Sequence, residues 1–321
     1  MTRARQQLID LSATPYYHVI SRCVRRAFLC GEDKLTGKNF NHRRQWLIDR
    51  VKLLSDVFAI EIAAYAIMSN HYHLVIRVNR EQAQDWPMDA VISRWYRLYR
   101  GNPLVDLYRQ GQVDDEVRLT RIAEFADVWR ERLYDISWFM RNLNESIARE
   151  ANKEDNCTGR YWEGRYKSQA LLDETALLSC MMYVDLNPIR ANMCDDLTSS
   201  DFTSIQERIK CYQAAKRNEQ TQHQPRSLIP FGLSQDKNAI AFSAADYFAL
   251  ADWSGRAIHP NKSGVIDGGT PTLIDELGLS QDEWLETIRN FRRQYGNFAG
   301  SKESLKRCAN THNDCWYKGV G

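Results

Sequence analysis

The run IEIAAYAIMSNHYHLVIRV, residues 60–78, most constrains the fold. Both halves are rich in β-branched and aromatic residues, and only Ser69 and Asn70 separate them. Such residues suit pleated strands, while Ser and Asn suit tight turns. A joint this short links antiparallel neighbours only, because a parallel pair needs a crossover of a dozen or more residues. A β-hairpin is therefore expected here. Upstream, YYHVISRCV (16–24) follows Pro15 and reads as a strand. Between the two, NHRRQWLIDRVKLLSDVF (41–58) places Trp46, Leu47, Val51, Leu54 and Phe58 at helical spacing.

The order β-α-β-β is the front half of a ferredoxin-like, or split βαβ, arrangement. The expected class is α+β: an antiparallel sheet core with helices on one face. Residues from about 81 to 135 are mixed and aromatic-rich and read as a helical insertion. DISWFMRNLNESIARE (135–150) is an amphipathic helix with Trp138, Phe139, Leu143 and Ile147 on one side. DETALLSCMMYVDLNPIRA opens on Asp173 as N-cap, runs as a helix and meets Pro188. A polar segment, 213–235, reads as a linker between a domain at 1–212 and a helical C-terminal extension at 236–321. That extension holds a capping box, Ser280 with Glu283.

A chain of 321 residues has room for a sizeable core, and 43% hydrophobic with 26% charged residues is ordinary for a globular protein. No apolar run reaches membrane-span length, and the basic start lacks the apolar stretch of a secretory signal. A cytoplasmic protein without membrane partners is expected. None of the eight cysteines forms a CxxC pair, which argues for reduced thiols rather than a zinc ribbon. Net charge is only +2, yet residues 1–60 carry eleven Lys or Arg against five Asp or Glu. That surplus permits a polyanionic partner or a merely solvated surface.

His71 and His73 sit at i and i+2 in the second hairpin strand, so they share a face that Tyr72 and Leu74 do not. Alone, the pair is more simply two strand-end histidines bonded to neighbours than half a metal site. On the helix after Asp173, Tyr183 and Asn187 are four apart and share a face. The Asn187 oxygen suits a hard cation such as Mg²⁺ or Mn²⁺, and equally a C-cap before proline. A phenol one turn from such a ligand is placed to attack a phosphorus whose oxygen the cation polarises.

MSNHYHLVI resembles the HUH motif, two histidines flanking a bulky residue, and MMYVDLNPIRA resembles the tyrosine motif of the REP-associated tyrosine transposases. GRYWEGRYKSQALLDE resembles the segment before that motif. The resemblance covers about residues 14–205. It implies that His71, His73 and Asn187 bind a divalent metal and that Tyr183 attacks single-stranded, hairpin-forming DNA. A 5′-phosphotyrosine link and a free 3′-hydroxyl result, and rejoining is the reverse attack. It also implies a nucleoid-associated protein, as monomer or homodimer. For DNA contacts the candidates are Arg22, Arg25, Arg160, Trp162, Arg165 and Lys167, where cations meet phosphates and rings stack on bases. The bland reading of the aromatics is a core face. Two other functions stay open: a non-catalytic DNA-binding regulator descended from such an enzyme, and a hydrolase that uses water.

Overall fold

The computed structural model describes residues 8–24, 29–32, 37–217, 224–232, 236–259, 272–312, 314 and 317–318. The chain opens with β1 (Tyr16–Arg22), α1 (His42–Val57), β2 (Ile60–Ile67) and β3 (His71–Val78). Four helices follow: α2 (Arg80–Asp85), α3 (Met88–Tyr96), α4 (Pro103–Arg109) and α5 (Glu116–Leu133). Then come α6 (Ile136–Glu154), β4 (Lys167–Leu171), α7 (Glu174–Asp185), α8 (Asn187–Arg190) and α9 (Ser204–Arg217). The remainder holds α10 (Ala244–Ile258), α11 (Thr272–Glu276), α12 (Gln281–Gln294), β5 (Phe298–Ala299) and α13 (Lys302–Thr311).

The expected hairpin closes between Ile67 and His71, where Met68 N–H donates to the His71 carbonyl. The sheet order is β2-β3-β1-β4-β5. The first four strands are antiparallel to their neighbours, and β5 joins β4 in parallel. The C-terminal segment, read as helical, thus also lends the sheet an edge strand.

Helices cover both faces of the sheet, not one. Tyr17, Val19, Tyr72, Leu74 and Ile76 pack with α1 and α6 in one apolar cluster. Val75, with Ala63, Ala64 and Ala66, packs with α7, α10 and α12 in a second. The reason lies in the strands. β1, β2 and β3 are buried at nearly every position, the polar His18, Ser21, His73 and Arg77 included, as strands covered on both sides are. The small alanines of β2 let α7 settle close to the sheet. All of α7 from Ala176 to Asp185 is buried, which explains why ALLSCMMYV is apolar all round.

Two devices fix α7 at its start. Asp173 accepts the Ala176 backbone N–H at 2.9 Å as N-cap. Its other oxygen accepts the Ser301 N–H at 2.7 Å, tying the C-terminal segment to the same turn. At its end the chain runs on through Leu186 (φ −88°, ψ 1°) into the single turn of α8, with Pro188 in the first turn, where its missing N–H costs nothing. Within the polar stretch 213–235, Leu228, Ile229 and Phe231 are buried, and Ile229 N–H donates to the Ile62 carbonyl at 2.8 Å.

Candidate functional site

The site forms where β1, β3 and β4 meet α7 and α8. In the β1–β3 register Ile20 lies opposite His73 and Arg22 opposite His71. His18, two residues before Ile20, is therefore the same-face diagonal neighbour of His73. Across β1, Gln169 of β4 lies directly opposite His18. His18 Nε2 is 2.9 Å from His73 Nδ1, and His18 Nδ1 is 3.2 Å from Gln169 Oε1. From α8, the Asn187 amide nitrogen stands 3.1 Å from His73 Nε2. His71 Nδ1 is 2.6 Å from the amide oxygen of Asn70, the second turn residue of the hairpin.

Tyr183 joins from α7, its ring centroid 5.7 Å from that of His73 and 6.0 Å from that of His18. The His71 and His73 rings are 4.9 Å apart. So β3, α7 and α8 bring His71, His73, Tyr183 and Asn187 to one place. Tyr183 is 8% exposed, with the Arg190 guanidinium 4.2 Å from its ring centre and Phe291 of α12 at 5.8 Å. Among the described residues no group hydrogen-bonds its hydroxyl.

Burial is the main influence on the imidazoles. It lowers the pKa of His18 to about 3 and of His71 to about 4, and holds His73 well below its usual value. Arg292 pushes all three the same way, Arg190 adds to His71 and His73, and Arg22 to His71. All three rings are neutral near pH 7. This has a stability consequence in metal-free protein. Below about pH 6.5 the unfolded chain protonates these histidines while the fold holds them neutral, so the unfolded state binds more protons. Stability is full above that pH and falls as pH drops towards 4. Asp185, raised to about 6 by burial, opposes the trend, but it is one group against three. Urea titrations in chelator should show the midpoint falling from pH 7 to pH 5; a flat or rising midpoint would contradict the buried neutral set.

The donors fit a hard divalent cation. His71 and His73 each have Nδ1 engaged by a neighbour, which leaves Nε2 on each as the atom for a metal. The Asn187 carboxamide stands beside His73 Nε2 and carries an oxygen on the same carbon. Among the described residues no cluster of three or more His, Cys, Asp or Glu is arranged to hold a metal. A cation bound here would meet two imidazoles and one carboxamide, since His18 spends its Nε2 on His73.

The surroundings are basic. Arg22, Arg165, Lys167 and Arg292, with Glu163, line an open cleft of about 320 Å³ that includes His71. Gly164 and Arg165 also line a cleft of about 440 Å³ beside Trp138 and Arg141. Ile20, Lys167 and Arg292 continue into a third of about 320 Å³ that reaches His18 and Gln169. The three share lining residues and together make up a basic surface beside the site. Of the residues expected to meet DNA, Arg22, Arg165 and Lys167 line it, and Arg160 is exposed but not among the lining residues. Arg25 lies outside the described residues. Trp162 is buried, its indole N–H donating to the Asn144 carbonyl at 2.8 Å, and its ring packs against Tyr72 and Tyr161. It lines the cleft yet belongs to the core cluster, as do Tyr161 and Tyr166.

From the sequence, His18 could neighbour the histidine pair across the sheet but reads more simply as structural, and neither Arg190 nor Arg292 is placed at the site. Arg190 sits seven past Tyr183, which is two helical turns, so its spacing was a usable signal. Arg292 had no signal, because nothing local says that α12 folds back over α7.

No model of a known protein family matches the chain, and no curated protein matches it. Among solved structures, it is similar to a REP-associated tyrosine transposase bound to a REP hairpin. The identity is 12% over 76% of this chain and 99% of that one, with a TM-score of 0.37.

Proposed function

We propose that this protein is a metal-dependent single-strand DNA endonuclease and strand transferase acting on hairpin-forming DNA through a phosphotyrosine intermediate. One observation carries the reading: a tyrosine whose hydroxyl has no hydrogen-bond partner among the described residues packs against the neutral imidazoles of His73 and His18, with the Asn187 carboxamide beside His73 and a basic cleft that includes His71. The three segments that resemble REP-associated tyrosine transposases support it. So does the element order β1-α1-β2-β3-α6-β4, which suits a ferredoxin-like core carrying α2–α5 as an insertion. On this reading 1–212 is the catalytic domain, and the region after 236 lends α12 to its site.

Each residue has a role. Tyr183 Oη attacks the phosphorus, the P–O3′ bond breaks, and the departing 3′-oxygen leaves protonated as a hydroxyl. The 5′-phosphate stays on Tyr183. In the reverse step a 3′-hydroxyl attacks, the tyrosine leaves, and the strand is joined. The P–O bond is exchanged rather than spent, so no nucleotide triphosphate is needed. His71, His73 and Asn187 would hold Mg²⁺ or Mn²⁺, which when bound supplies Lewis-acid polarisation of a phosphate oxygen. Arg22, Arg165, Lys167 and Arg292 neutralise the flanking phosphates and fix the strand's path. Arg190, stacked on the Tyr183 ring, restricts its rotation and lends positive charge where the phosphate arrives.

The test is incubation with a pool of labelled single-stranded hairpin oligonucleotides in Mn²⁺ or chelator, followed by denaturing gels. Metal-dependent cleavage is expected. His71→Ala or His73→Ala should remove it, by about 10- to 100-fold in metal affinity or more in rate; unchanged activity in either would sink the ligand assignment. A second reading, a DNA-binding regulator without chemistry, is favoured by the covering of Tyr183 by Phe291 and Arg190. Tight hairpin binding with no cleavage of any pool member would select it.

A further inference from the structure

We infer that Gln169 and His18 form a relay, polarised by the Gly296 carbonyl, that holds His73 in the tautomer with a bare Nε2. The inference rests on the proposed metal site, but its first observable does not. Gly296 O can only accept, and Gln169 Nε2 stands 2.8 Å from it. That contact fixes which end of the Gln169 amide is nitrogen, an assignment left open by shape alone. Gln169 Oε1 therefore faces His18 Nδ1, 3.2 Å away, and accepts from it. His18 Nδ1 carries the proton, which leaves His18 Nε2 as an acceptor. His18 Nε2 is 2.9 Å from His73 Nδ1, so that nitrogen must be the donor. Each neutral ring holds one ring proton, so His73 Nε2 is left with its lone pair, pointing at Asn187.

The relay is built rather than incidental. His18 is 1% exposed, His73 1% and Gln169 7%, so water does not compete for these bonds. An alternative proton arrangement would leave two acceptors, or two donors, facing each other in a buried place. The register supplies the geometry, since Gln169 lies directly opposite His18 and His73 lies diagonally across from it. The chain crosses β3, β1 and β4 and ends on the C-terminal segment just before β5. That segment therefore sets the state of a residue far from it in sequence. His71 Nδ1 is engaged separately, by the Asn70 amide at 2.6 Å. His18 and Gln169 are positioning residues on this account and touch no substrate.

The experiment reads imidazole tautomers by long-range ¹H–¹⁵N NMR in metal-free full-length protein, and Mn²⁺ affinity by titration calorimetry. Wild type should show His73 protonated at Nδ1 alone. His18→Leu removes the acceptor at similar bulk and should release His73 to the other tautomer, with Mn²⁺ binding weakened about 10- to 100-fold. His18→Gln restores an acceptor beside His73 Nδ1 and should recover the wild-type tautomer and most of the affinity. A purely structural role would show as loss of fold in both variants, with no rescue by Gln, and would overturn the inference. Nε2-protonated His73 in the wild type would also overturn it. Nδ1-protonated His73 in a wild type that binds no Mn²⁺ would uphold the relay and refute the metal site.

Discussion

Tyr183→Phe is expected to abolish DNA cleavage while leaving hairpin binding nearly unchanged. The substitution removes one oxygen. The ring keeps its contacts with His73, His18, Phe291 and Arg190, and no hydrogen bond from the hydroxyl is lost among the described residues. The fold therefore has little reason to change. The chemistry has every reason to, because the attacking atom is gone. Loss of a covalent nucleophile typically lowers kcat by at least about 10⁴-fold, so cleavage should fall to background. On the proposed function, binding rests on phosphate contacts with Arg22, Arg165, Lys167 and Arg292, none of which uses that oxygen. Gel-shift affinity within about threefold of wild type, a difference under ~1 kcal/mol, is the expected companion result. Residual cleavage at a tenth of the wild-type rate would show that another group attacks.

Asp185→Ala should produce the largest loss of stability. Asp185 follows Tyr183 by two residues and is completely buried. One oxygen accepts from the Ser204 hydroxyl and from the Ile205 backbone N–H at 3.0 Å, and the other from the Tyr247 hydroxyl at 2.6 Å. A single carboxylate thus ties α7 to α9 and α10. It also faces the charge of Arg208, 2% exposed, whose Nη2 donates to the Ala63 and Ile229 carbonyls while Nε and Nη1 have no hydrogen-bond partner among the described residues. Alanine leaves the Ile205 N–H and the Tyr247 hydroxyl unmet, leaves the Ser204 hydroxyl only the Tyr65 carbonyl at 3.3 Å, and strips the compensation from a buried cation. Breaking such an arrangement from one side costs about 3–5 kcal/mol. Asp185→Asn keeps an accepting oxygen and should cost clearly less. Urea unfolding measures both, and an Asp185→Ala loss under ~1 kcal/mol would show that α7 is held by apolar packing alone.

The reach of the sequence differs between parts of the molecule for physical reasons. The hairpin was legible because two residues cannot join anything but antiparallel neighbours. The common face of His71 and His73 followed from the two-residue period of a strand, and Asp173 marked the start of α7 by its capping chemistry. The covering of both sheet faces was harder to read. A strand buried on both sides shows no alternation, so VISRCV and HLVIRV do not say how many layers lie above them. Trp162 was ambiguous for a related reason, since an aromatic interleaved with arginines reads alike as a stacking platform or as a core residue. His18 could be seen as a neighbour of the pair, but only the register with β4 brings in Gln169. The part of the site least accessible to sequence is α12. Its Trp284, Ile288 and Phe291 mark a buried face, and nothing in them names α7 as the surface they bury against.

This topology has a functional reading. The strands bring imidazoles from β1 and β3 side by side, α7 and α8 bring the tyrosine and carboxamide from the other side, and the C-terminal segment closes the arrangement. Each of these side chains sits on a regular element rather than a free loop, which is what the proposed chemistry requires of groups held in fixed geometry.

The most direct measurement is the site of the covalent bond. Wild-type protein is incubated with a cleavable hairpin and Mn²⁺, denatured, digested with nuclease and protease, and its peptides are sequenced by mass spectrometry. A nucleotide 5′-phosphate on Tyr183, with a matching free 3′-hydroxyl on the released strand, is the expected outcome. Cleaved DNA with no protein adduct, or an adduct on any other residue, would contradict the tyrosine mechanism.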